Sequence, residues 1–168
     1  MIPASFFRSS LLLLLLLTLG FASQVQAKPE HGKKFKDWTV VCEKLPSSGE
    51  EICNIFQNVS NDQNKVVLQI AIGFPPGQDR PQALITLPLG VLLQPGIEFA
   101  GGTAKAVRVP FSVCVKNGCV AIMKLEDDVI KGMKAGTKGS VKFAAAQQKI
   151  IEIPVSLSGF SAAYKSLK

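Results

Sequence analysis

The chain has 168 residues, a formal net charge of +7 and one histidine, and all four cysteines lie after residue 41. That is one domain's worth of chain, long enough to bury a real core. A single histidine deprives zinc centres, Ser-His-Asp triads and most general-base schemes of their usual residue.

Residues 1–27 read as an export signal. Arg8 supplies the positive charge, Leu11 to Leu17 with Leu19 form the apolar run, and Val25-Gln26-Ala27 is a small-residue cleavage site. The run is shorter than the roughly 20 residues a spanning helix needs, and no later apolar run is long enough either. No cysteine stands directly after the cleavage site, where Lys28 follows Ala27, so no lipid anchor is expected. The expected domain is residues 28–168, opening with a flexible basic lead-in over 28–37.

Trp38 to Glu43 is a strand placing Trp38, Val40 and Cys42 on one face, with Trp38 in the core. The cluster Pro46-Ser47-Ser48-Gly49 turns the chain, and Ile52 to Val59 returns. Val66, Leu68, Ile70 and Ile72 give the next strand a strongly apolar face. Pro81 to Leu87 is a fourth strand. A short apolar run, Val91 to Leu93, follows, and a helix over Leu89–Leu93 is the alternative there. Pro95-Gly96 has type II turn chemistry. Ile97–Ala100 and Ala104–Val109 form a hairpin about Gly101-Gly102. Leu125 to Lys134 is a helix, with Glu126, Asp127 and Asp128 at its anion-favouring start and Gly136 as its stop. Val141–Ala145 and Ile150–Ser156 pair about Gln147-Gln148. Ser158 is the expected cap of a terminal helix over Gly159–Leu167. About ten short strands with one or two short helices predict a mainly β fold, an antiparallel β-sandwich or a partly open barrel.

The stretch Val107 to Met123 carries most information. Asn117-Gly118 between β-formers signals a hairpin. A two-residue Asn117-Gly118 loop leaves Cys114 diagonal to Cys119; a four-residue loop, Val115 to Gly118, sets them directly opposite, within disulfide reach. The second register pairs Val113 with Val120 and Phe111 with Ile122 on a face expected to press on the core, leaving Ser112, Cys114, Cys119 and Ala121 on the other. Four cysteines in an exported chain form a disulfide framework. Each expected bridge, Cys42–Cys53 and Cys114–Cys119, clips one hairpin. A four-cysteine zinc site is disfavoured because neither spacing is Cys-x2-Cys.

With paired cysteines there is no thiol nucleophile, and no phosphate-binding or nucleophile-elbow motif occurs. No catalytic residue, cofactor or metal is expected. Charge is the uneven feature. Residues 28–128 hold eleven Lys or Arg and eleven Asp or Glu, whereas residues 129–168 hold seven Lys and one Glu. Lys131, Lys134, Lys138 and Lys142 are candidates for attracting an anionic envelope or host-surface component, weighed against a solvated face that aids solubility. Nucleic acid is not the expected partner, because the compartment argues against it and arginine is scarce.

Five pieces carry a family resemblance: Asp37-Trp38-Thr39-Val40-Val41-Cys42; Cys53-Asn54-Ile55-Phe56-Gln57; Leu87-Pro88-Leu89-Gly90-Val91 with Pro95-Gly96; Phe111-x-x-Cys114…Gly118-Cys119; and Ile153 to Phe160. In this order the chain resembles the invasion-associated locus B family of bacterial exported proteins. The resemblance implies a periplasmic or outer-membrane-associated β-sandwich linked to host-cell entry, with no catalytic motif to transfer. The functional expectation is an exported non-enzymatic protein that binds an envelope or host-surface component. Its alternatives are a periplasmic structural or stress-related protein without a host partner, and a carboxylate-dependent hydrolase or lyase.

Overall fold

A computed structural model describes residues 28–146 and 149–168. The export signal and the Gln147-Gln148 turn lie outside the described residues.

The strands are β1 (Lys34–Phe35), β2 (Trp38–Lys44), β3 (Glu51–Ser60), β4 (Val66–Gly73), β5 (Gln82–Leu87), β6 (Ile97–Ala100), β7 (Val107–Val109), β8 (Phe111–Val115), β9 (Gly118–Lys124), β10 (Lys138–Ala144) and β11 (Ile150–Ser156). The helices are α1 (Asp127–Ala135) and α2 (Phe160–Lys165). A seven-stranded sheet runs β1-β2-β3-β4-β5-β9-β8, and a four-stranded sheet runs β11-β10-β6-β7. All pairings are antiparallel. This is a two-sheet sandwich rather than a closed barrel. The chain crosses between sheets at Pro110, where β7 runs into β8.

Period-2 patterning builds the core. From the larger sheet Trp38, Val40, Ile55, Leu68, Ile70, Ile72, Ile85 and Leu87 point inward; from the smaller, Ile97, Phe99, Val141, Ile153 and Val155 meet them. Each such aliphatic or aromatic residue contributes about 1.5–3 kcal/mol of burial. α1 buries Val129, Ile130 and Met133. It approaches the Gly101–Ala104 turn so closely that a Cβ on Gly132 would lie 2.5 Å from the Ala104 nitrogen and 2.7 Å from the Gly101 oxygen. Only glycine fits that crossing.

The clipped hairpin has Cys114 opposite Cys119, as the disulfide argument requires, but its loop is shorter. Val115 pairs with Gly118, so the connection is Lys116-Asn117, and a register shift pairs Phe111 with Ala121 rather than Ile122. The expected core face is inverted. Cys119, Ala121 and Met123 are buried, while Val113 and Ile122 are exposed. β9 lies beside β5, matching Leu87 with Cys119, Ile85 with Ala121 and Ala83 with Met123. Partners in register share a face, so the inward residues of β5 dictate those of β9.

Three smaller expectations change. The 28–37 lead-in carries β1 and is tied down: Gly32 N–H donates to Val40 O and Val40 N–H to Lys33 O, both at 2.8 Å. Backbone groups beside the β2 edge find partners there, which a loose segment would forgo. Leu89–Leu93 is not helical; Val91 forms an isolated bridge to Ala145. α2 begins after Gly159, with no side-chain cap from Ser158.

Candidate binding cleft

The two sheets part beside β11, an edge strand of the smaller sheet. There a cleft of about 730 Å³ opens among Asp37, Gln57, Asn58, Ser60, Thr137, Lys138, Pro154, Ser156 and Ser158. Its floor is built on Gln57. This residue sits at an inward position of β3, two along from Ile55, and is 5% exposed. An amide buried there must have partners. Its Nε2 donates to Ser156 O at 3.0 Å and to Asp37 O at 3.2 Å, and its Oε1 accepts from Ser156 N–H at 3.1 Å. The side chain therefore pairs with β11 as a neighbouring strand would. Trp38 Nε1 donates to the same Ser156 carbonyl at 3.1 Å, and the Ser156 hydroxyl donates to Asp37 Oδ2 at 2.5 Å. Trp38, fully buried, meets the Phe160 ring edge-on with centroids 5.4 Å apart. Gly159, at φ +89°, leaves room for the Phe35 carbonyl, which a Cβ would approach to 2.0 Å.

Three separate sequence pieces thus converge on one knot: Asp37-Trp38, Gln57, and Ser156 to Phe160. The resemblance already singled out these pieces, and their geometry gives them a structural task, closing the open side of the sandwich. Gln57 itself was not among the candidate residues. The available signal was a polar side chain on the apolar parity of a strand, which rarely occurs without a partner.

Further along β11, a second cavity of about 310 Å³ is lined mainly by apolar residues, among them Val67, Leu89, Val91, Phe143, Ile151 and Ile153.

The four predicted lysines are divided. Lys138 lines the cleft together with Asp37. Lys131 and Lys134 are exposed on α1, and Lys134 Nζ lies 4.8 Å from the centroid of the Tyr164 ring. Lys142 stands apart on the outer face of the smaller sheet, 3.6 Å from Glu98 and 3.8 Å from Glu152. In register, Arg108, Glu98, Lys142 and Glu152 form a row of alternating sign across the four strands. Lys142 thus has an acidic neighbour on either side, whereas Lys131 and Lys134 are exposed on α1 and Lys138 lines the cleft.

The predicted cysteines form Cys42–Cys53 and Cys114–Cys119, with sulfurs 2.08 and 2.00 Å apart. Cys42 N–H donates to His31 Nδ1 at 3.0 Å, which ties the single histidine to the backbone. Among the described residues, no three His, Cys, Asp or Glu are grouped to hold a metal ion. Glu126, one of the acidic trio, pairs with Arg80 at the start of α1. Burial, with a smaller contribution from Asp127, raises the Tyr164 phenol above its ordinary range. Outside the cleft, the hydrogen bond and charge of Lys28 lower the exposed Glu51 carboxyl.

These observations define a class: a two-sheet β-sandwich clipped by two disulfides. The chain belongs to the invasion associated locus B protein family, whose family model matches residues 38–168. It is 22% identical over 130 residues to the invasion protein B homologues of Brucella abortus strain 2308 and of biovar 1 strain 9-941, covering 77% of this chain and 74% of each relative. The crystal structure of invasion associated protein B from Bartonella henselae superposes with a TM-score of 0.72 at 21% identity, covering 80% of this chain and 92% of that one. Family and disulfides fit an exported protein. No helix among the described residues is long and apolar enough to cross a membrane.

Proposed function

We propose that the chain is an exported, non-enzymatic protein that binds an anionic component of the bacterial envelope or of a host-cell surface. The observation that carries this reading is the placement of Lys138. It stands in the wall of the cleft, among hydrogen-bonding groups of Thr137, Ser156 and Ser158, and follows α1 with its exposed Lys131 and Lys134. Ammonium groups are hydrated point charges, so this surface suits tolerant attraction of anionic headgroups or glycans rather than bidentate recognition. The invasion-linked names of the relatives support a role at a surface.

The test uses oxidised protein of residues 28–168, which carries eighteen Lys or Arg against twelve Asp or Glu, net +6. Reversing Lys134 and Lys138 to Glu lowers this by four, to +2. Binding to lipopolysaccharide or to vesicles containing anionic lipid at low salt is expected to fall at least about tenfold, and wild-type binding to weaken as salt rises. Lys142→Ala should leave binding unchanged, because Glu98 and Glu152 already offset its charge. Equal binding by the Lys134/Lys138 variant, or wild-type binding insensitive to salt, overturns the reading.

A further inference from the structure

Sheet edges with unpaired backbone groups invite pairing with other chains, and natural proteins blunt them with short strands, charges, proline or a covering segment. This sandwich has four edges, and three are blunted. β1 is two residues long, and α2 packs against it. β7 is three residues long and presents the exposed Arg108. β11 carries Glu152 and Pro154, and the Gln57 amide occupies the outward N–H and C=O of Ser156.

The fourth edge, β8, has only one such device, a bulge-type register shift between Phe111 and Val113. Phe111 to Val115 contains no charge and no proline, and the Cys114–Cys119 bridge anchors it against fraying. Cys114 and Cys119 are directly opposed with Cα atoms 3.9 Å apart, the close spacing of a non-hydrogen-bonded pair. The N–H and C=O of Cys114 therefore point away from β9, toward the open edge. Among the described residues no other segment bonds to them. On the adjoining outer face, Val113 is 50% exposed, Val115 52%, Ile122 43% and Leu84 40%. Leu84 faces Ile122 in register, and Val113 faces Val120, so these side chains form one apolar surface running up to the β8 edge.

We propose that β8 pairs antiparallel with β8 of a second copy about a twofold axis at Cys114, joining two seven-stranded sheets into one. Self-pairing follows from the strand's own chemistry. In that register the two Cys114 residues exchange N–H···O bonds, Val113 of each copy faces Val115 of the other, and Lys116 lies opposite the uncharged Ser112. No like charges meet, and the four half-exposed valines cover one another. An isologous contact of this kind closes at two copies. The interface is independent of the basic cleft and gives the pair two sets of its anion-attracting lysines.

The experiment is sedimentation equilibrium of oxidised 28–168 over micromolar to about 0.5 mM, with circular dichroism and disulfide mapping to verify each variant's fold. Wild type is expected to show a monomer–dimer equilibrium. Val113→Lys and Val115→Glu should each weaken it at least about tenfold by burying a charge against a valine. In the double variant, V113K/V115E, the introduced lysine of each copy faces the introduced glutamate of the other, twice over, and dimer should be regained relative to either single change. A wild type that stays monomeric overturns the proposal, as do single variants that dimerise like wild type. Failure of the double variant to recover overturns the register and with it the interface.

Discussion

Replacing Gln57 by leucine removes the amide while keeping bulk. Three hydrogen bonds disappear: two donated by Nε2, to Asp37 O and Ser156 O, and one accepted by Oε1 from Ser156 N–H. Ser156 O keeps its bond from Trp38 Nε1, but Ser156 N–H and Asp37 O lose these partners. A net hydrogen bond is worth about 0.5–1.5 kcal/mol, and a stranded buried donor costs about 1–3 kcal/mol, offset partly by the better burial of leucine. Because the cleft admits water at its rim, the expected loss is about 2–3 kcal/mol rather than the sum. Urea unfolding of the oxidised protein measures it, with an unchanged slope showing that only stability has moved. Gln57→Glu gives a second reading from the same site. A carboxylate there would face the Ser156 and Asp37 carbonyl oxygens, so burial and repulsion hold its folded pKa above the unfolded value of about 4.3. In the window between those two values the folded state binds more protons than the unfolded one, so stability falls as pH rises. The deficit of the glutamate variant relative to wild type should therefore be small near about pH 4 and large at about pH 7. A leucine variant within about 0.5 kcal/mol of wild type, the range of an inconsequential surface change, would refute the view that this amide closes the sandwich. So would a glutamate variant whose deficit ignores pH.

The chain has a single tyrosine, so tyrosinate absorbance titrates Tyr164 alone. Its midpoint in the folded protein should exceed the value of about 10 in the unfolded chain, owing to burial and Asp127, and Asp127→Asn should lower it. A phenol raised in this way keeps its proton when the unfolded chain loses it, so stability falls as pH climbs above about 10, and Tyr164→Phe should flatten that decline. Replacing both members of a bridge by serine should cost up to about 3 kcal/mol for Cys42–Cys53 and about 2 kcal/mol for Cys114–Cys119 on loop-closure entropy, as denaturant midpoints will show. The reverse order would point to strand anchoring rather than chain entropy as the source.

Local chemistry determined a large part of this protein. The disulfide partners follow from which residues can sit opposite one another across a short turn, a question settled within a sequence separation of 11 for one bridge and 5 for the other. The inward parity of β4 was legible because Leu68, Ile70 and Ile72 alternate with Gln69, Ala71 and Gly73. The tertiary structure alone decided the face of β9. Val120 and Ile122 are as apolar as Cys119, Ala121 and Met123, so the period-2 pattern fits either orientation, and only pairing with β5 breaks the tie. It decided Lys142 as well, since Glu98 arrives from a strand distant in sequence and Glu152 from the register of the last hairpin. Gln57 lies 99 residues from Ser156. Sequence marks such a residue as out of place on an apolar face; only the meeting of the two sheets supplies the backbone groups that make its burial favourable.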